Sequence, residues 1–121
     1  MSAPFQKIDL NEAFDKLKNE ETWNARPRNA VTLFKGEGLR ALLVGLHKDA
    51  TIESHRADDP VSVHLLSGAL HLTAGGENLT LEPGQVVTME AGLEHDIHAS
   101  KESAFLLTIA GASAHPTDPS T

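Results

Sequence analysis

From Ala30 to Ala110 the chain is a succession of short β-branched or leucine-rich runs, each ended by turn residues. No other feature constrains the fold as much. The runs cover 31–35, 39–47, 52–55, 61–66, 69–73, 79–81, 86–89, 95–99 and 104–110. Between them lie Gly36-Glu37-Gly38, Asp58-Asp59-Pro60, Ser67-Gly68, Gly75-Gly76, Pro83-Gly84, Ala91-Gly92 and Ser100-Lys101. Seven or eight short strands among these nine runs, at such spacing, make a sandwich or a barrel. Nothing after residue 30 is long enough to be a crossover helix, so a parallel α/β sheet is excluded. The expected fold class is all-β and antiparallel.

Before the strands, Leu10, Phe14 and Leu17 fall on one helical face behind Asp9 or Asn11 as cap, and the pattern ends near Asn19. Residues 20–30 read as a connector with Trp23 as its anchor. The expected organisation is a helix and connector over 1–30, a β-barrel over 31–112 and a loose tail over 113–121. With 121 residues the chain has room for one domain and a core that needs no disulfide, and it contains no cysteine. Thiolate metal sites and cysteine nucleophiles are thereby excluded.

Ten basic residues against 17 acidic ones, a net charge of −7, speak against a surface that tracks nucleic-acid phosphates. With one Trp, four Phe and no Tyr, a base-stacking platform lacks material, and Phe5, Phe14, Phe34 and Phe105 are read as core. No run approaches the ~18 apolar residues of a membrane span, and residues 1–20 carry no secretory pattern. A cytoplasmic protein without nucleic-acid or membrane partners is expected. Gly75-Gly76 has no helix behind it to offer a phosphate, and no Gly-x-Gly-x-x-Gly fingerprint opens a βαβ unit. No nucleotide cofactor is expected.

One segment carries a resemblance. Gly84, Gly92 and His95 share the spacing of the second motif of the cupin family, with Glu90 where that motif has proline and Ala99 where it has asparagine. The first motif, His-x-His, three or four residues, Glu, six residues, Gly, is matched by His55 and Gly68 only. Its second histidine falls on Ala57 and its glutamate on Val61. The resemblance extends over roughly residues 39–110. It implies a double-stranded β-helix, or jelly-roll barrel, with one short N-terminal helix. It also implies that His95 points into the barrel with His55 facing it, and that the protein is a homodimer, for which 31–35 is a plausible edge strand.

Strand parity sorts the remaining histidines. Val61, Val63 and Leu65 form one apolar face, which the resemblance makes the interior, so His64 points outward. His95, Ile97 and Ala99 share a face; His98 lies on the other, and His71 alternates with inward Leu70 and Leu72. His47 ends a strand and is open to either side, while His115 falls in the tail.

The expected pocket is therefore His55, Val61, Val63, Leu65, His95 and Ile97. A few polar anchors in an apolar concavity are what small-molecule sites look like. The first expectation is a module that binds a small molecule near His55 and His95. The alternative is a metal-dependent dioxygenase, isomerase or decarboxylase, with His55 and His95 on one divalent ion (Zn, Fe, Mn or Ni). Such sites usually take three protein ligands. The third would come from Asp59, Asp58 or Glu53. Arg26 and Arg28, flanking Pro27, suit an anionic ligand or an acidic partner but are read as ordinary surface charges.

Overall fold

The computed structural model describes residues 4–111, so the tail expected at 113–121, with His115, lies outside the described residues. Among the described residues a single helix, α1 (Leu10–Lys18), precedes β1 (Arg28–Lys35), β2 (Leu39–Leu46), β3 (Thr51–Arg56), β4 (Val61–Ser67), β5 (Leu70–Ala74), β6 (Glu77–Leu81), β7 (Val86–Met89), β8 (Glu94–Ala99) and β9 (Ser103–Ala110). Every apolar run of the sequence thus becomes a strand. The short runs at β6 and β7 count because each finds an antiparallel partner, β5 and β4 respectively.

The described strands form two antiparallel sheets, ordered β1-β2-β9-β4-β7 and β3-β8-β5-β6. The period-two pattern explains their packing. Along β4, Val61, Val63 and Leu65 are buried while Ser62, His64 and Leu66 are half-buried. These inward residues join Val44 and Leu46 of β2, Leu70 and Leu72 of β5, Ile97 of β8 and Phe105 and Leu107 of β9 in one core between the sheets. That is the jelly-roll arrangement the resemblance implies.

Alternation also gives β2 a second buried face. Leu43 is fully buried, and Gly45 lies under α1 and the connector. Asp9 caps α1 by accepting the Glu12 N–H at 3.0 Å, and Leu17 is the buried residue of its apolar face. Trp23, 5% exposed, meets Phe14 edge to face at 6.0 Å and lies 4.2 Å from the His47 ring. Phe14 and Phe34 are half-buried and Phe105 is in the core. Phe5 is a correction: at 77% exposed it belongs to no core, because it precedes the first residue that α1 orders. No helix among the described residues is long and apolar enough to cross a membrane.

Two glycines report how closely these layers meet. A Cβ on Gly45 would stand 2.7 Å from Trp23 Cζ3 and 3.3 Å from Leu17 Cδ2. Gly68, between β4 and β5, has φ +93°, and a Cβ there would collide with Ser103 Oγ and the Glu102 carbonyl. Ser103 Oγ accepts the Ala69 N–H at 3.1 Å and donates to the Lys101 carbonyl at 2.7 Å, so it cannot move aside without losing both. Gly45→Ala is expected to cost about 1–3 kcal/mol by overpacking. Gly68→Ala combines overpacking with a disfavoured φ and is expected to cost about 3 kcal/mol. Chemical denaturation of both variants checks this, and a Gly45→Ala midpoint equal to that of the parent would mean that the connector does not press on β2.

Candidate functional site

The site begins with an irregularity in strand pairing. β3 runs antiparallel to β8 with Ile52 opposite Ile97 and His55 opposite His95, and the register slips between those two pairs. Three steps along β3 match two along β8, so β3 carries a bulge. On a regular strand Ile52 and His55 would face opposite sides. The extra residue returns His55 to the side of Ile52, and that side is the inner one, since Ile97 is in the core. Both imidazoles therefore enter the space between the sheets. Their centroids are 5.2 Å apart and their planes meet at 77°.

His95 is 5% exposed, and its Nδ1 lies 3.0 Å from the Leu93 carbonyl. A carbonyl only accepts, so this bond places the proton on Nδ1. In the neutral ring Nε2 then keeps its lone pair for whatever occupies the site. On the outer side of the same strands Arg56 meets Glu94 at 3.5 Å, an exposed pair worth little.

The histidines line a cavity of about 390 Å³. Five of the expected residues, His55, Val61, Val63, His95 and Ile97, are in its wall. Leu65 is not; fully buried, it continues the same face of β4 into the closed core. The buried part of the wall also includes residues that the sequence reading missed: Leu17, Asn29, Val44, Ala57, Phe105 and Leu107. Exposed residues of the connector and of the start of β1 form the rim: Glu20, Thr22, Arg26, Arg28 and Ala30. Arg28 and Ala30 pair with Leu46 and Val44, two inward residues, and that register carries them to the cavity side.

The other histidines lie elsewhere. His71 is exposed and His64 half-buried on the outer side of β4. His98 is 3.6 Å from the Asp49 carboxylate. His47 takes up the connector, its Nε2 2.7 Å from the Trp23 carbonyl.

The sequence from Leu42 to Ala110, residues 42–110, matches the family model described as Cupin domain (Cupin_2). The chain belongs to the cupin family. No curated protein matches it. Among solved structures, this cupin is similar to SPY1581, a conserved protein of unknown function from Streptococcus pyogenes. The TM-score is 0.70 at 23% identity, over 91% of this chain and 90% of that one. A cupin-2 domain protein from Shewanella frigidimarina gives 0.69 at 17% identity, over 85% and 93%. Salicylate 1,2-dioxygenase from Pseudoaminobacter salicylatoxidans gives 0.74 at 13% identity, over 82% of this chain but 31% of that chain. These likenesses are of fold.

Cupins often bind a metal ion, so the donor set matters. All four positions that the family pattern assigns to ligands, 55, 57, 61 and 95, line this one cavity. They hold His, Ala, Val and His. Two imidazoles beside a methyl and an isopropyl group do not supply the three protein ligands of an open metal site. The turn after β3 sets where the carboxylates expected as a third ligand lie. There the Ala57 carbonyl accepts the Gly92 N–H at 2.8 Å and the Pro60 carbonyl accepts the Ala110 N–H at 3.1 Å. Tied at both ends, the turn carries Asp59 to the end of β9, where its Oδ1 is 3.4 Å from the Cβ position of Gly111. Asp58 is exposed, and Glu53 is exposed and accepts from Thr51 Oγ1 at 3.3 Å. Among the described residues no three His, Cys, Asp or Glu side chains are grouped to hold a metal ion. The residues present do not fit a resident transition metal.

Restoring the missing donors tests this directly. Ala57→His with Val61→Glu is expected to bind Mn²⁺ or Ni²⁺ at least about tenfold more tightly than the parent. Isothermal titration with each ion reads the difference. Equal affinities would mean that positions 57 and 61 are not donors to the histidine pair.

Proposed function

We propose that this cupin is a binding module for a small molecule, held in the barrel cavity between His55 and His95. One observation carries the reading: two inward imidazoles stand among Val44, Ala57, Val61, Val63, Ile97, Phe105 and Leu107, with Ala57 and Val61 at the positions where the family pattern has ligands, while the other polar lining residues come from the connector and the start of β1. A concavity of about 390 Å³ is within the range of small-molecule sites, and a few polar groups in an apolar wall fix orientation rather than supply most of the affinity. His95 Nε2 offers an acceptor to a ligand hydroxyl or amide, and the surrounding aliphatic side chains take its apolar body. No reaction is assigned, and a divalent metal has no part in this reading. The dioxygenase, isomerase and decarboxylase alternatives rest on the fold alone, and fold does not carry function.

Ala57→Phe fills the cavity while keeping both histidines in the chain. It is expected to abolish binding of single-ring fragments such as indole and benzyl alcohol, as read by ligand-observed NMR, while the fold stays intact by circular dichroism. Fragments that bind the filled variant as well as the parent would remove the cavity from the reading. Protein purified without an affinity tag is expected to lose any trace metal to mild chelator and to bind the fragments unchanged. Stoichiometric metal surviving that treatment would defeat the metal-free reading.

The homodimer belongs to the same proposal. β1 ends the five-stranded sheet, and Val31 on it is exposed, which supports pairing with a second copy along that edge. Sedimentation at micromolar concentration is expected to give twice the chain mass, and a monomer would refute the pairing.

A further inference from the structure

We propose that the ligand is a small organic monoanion, its apolar body inside the barrel and its carboxylate at the rim against Arg26 and Arg28. This rests on the binding-module reading and names the class of ligand that the module takes. Both arginines line the cavity, yet neither forms an ion pair among the described residues. The chain has 17 carboxylate side chains for 10 basic ones. In so acidic a molecule two un-neutralised arginines at the mouth of its cavity are a local reversal of sign.

The two arginines are also held in place. Pro27 between them fixes its own φ, and its carbonyl accepts the His47 N–H at 2.9 Å. Asn29, 8% exposed, donates through Nδ2 to the Trp23 carbonyl at 3.2 Å and to the Arg26 carbonyl at 3.3 Å. The backbone on either side of Arg26 is thus tied to strands β1 and β2 before any ligand arrives. A guanidinium offers parallel N–H donors matched to a carboxylate, and a fixed backbone lowers the entropy lost in using them.

The rim also selects the charge of its ligand. Glu20 shares it with the arginines and repels a second negative charge. A single carboxylate is favoured over a phosphate dianion. The apolar interior excludes a charge from the depth of the cavity, so the anionic end stays outermost.

Paired probes that differ in charge and little in shape provide the test: benzoate against benzamide, and hexanoate against hexanamide. Binding to the full chain is followed by NMR titration at low ionic strength. Each carboxylate is expected to bind about tenfold more tightly than its amide. In Arg26→Gln/Arg28→Gln the difference is expected to vanish, with the amides unaffected. Both arginines are exposed and unpaired within the described residues, so the double variant is expected to melt with the parent. Raising salt to 0.5 M is expected to narrow the preference in the parent only. Equal binding of acid and amide inside the cavity overturns the inference and leaves the binding module standing. A carboxylate preference that survives in the double variant overturns the role of these arginines. If none of the four probes binds, the binding-module reading falls and this inference with it.

Discussion

Between Ile52 and His55 the third strand carries one residue more than its partner, and the direction of His55 follows from that residue. Remove it, and alternation would turn the imidazole to the outer side of the sheet, leaving His95 alone inside. The pairing of β3 with β8 is thus more than a contribution to the sheet. It sets two rings from different strands 5.2 Å apart, at 77° to each other, among the aliphatic and aromatic side chains of β2, β4, β8 and β9. Antiparallel partners directly opposite each other share a face, and no loop has to be ordered to bring the rings together. The turn after β3 is tied at Ala57 and Pro60, so the strand is anchored just beyond the bulge.

A second constraint joins the helix to the barrel. Gly45 leaves β2 without a side chain on the face that α1 and the connector cover, and Trp23 occupies that gap. The indole then lies against His47, whose Nε2 meets the Trp23 carbonyl, while Asn29 donates to the same carbonyl. Two polar side chains from β1 and the end of β2 therefore converge on one backbone oxygen. The connector continues the wall of the cavity at the point where β1 begins, and its placement decides which charges stand at the mouth. The helix, the connector and the site are linked through one tryptophan and one absent Cβ.

Most of the architecture was legible because period-two alternation leaves a direct trace in the sequence. Val61, Val63 and Leu65 inward with His64 outward is read from four consecutive pairs of letters, and β4 follows it. The inward direction of His55 was not legible that way. Residues 52 and 55 have opposite parity, and the correct side came from the resemblance to the cupin motif. A bulge is a property of two paired strands, and neither strand announces it alone. The position of Asp59 is not legible for a related reason. The direction of its turn is set by backbone bonds to Gly92 and Ala110, far away in sequence. Arg26 and Arg28 looked like solvated charges because they are exposed, as the structure also has them. Their proximity to the cavity depends on which sheet edge the connector crosses, and composition carries no information about that.

The exchange of two ligand positions for Ala57 and Val61 alters more than the count of donors. With those donors, a barrel interior can hold a cation and, beside it, an anionic group. With carbon in their place, any charge brought to the same depth must be desolvated with little in return. Polar recognition then divides by depth. Inside, His95 commits its Nδ1 proton to the Leu93 carbonyl, which leaves Nε2 as the ring atom facing a ligand, and the neighbouring aliphatic surface offers apolar contact. At the rim, water and two guanidinium groups are both at hand, and charge is tolerated there. A ligand that satisfies both levels is amphiphilic, with its polar end outward. An identical fold with three ligands at its centre would select the opposite orientation, because its strongest charge would lie at the bottom of the pocket instead of at the mouth.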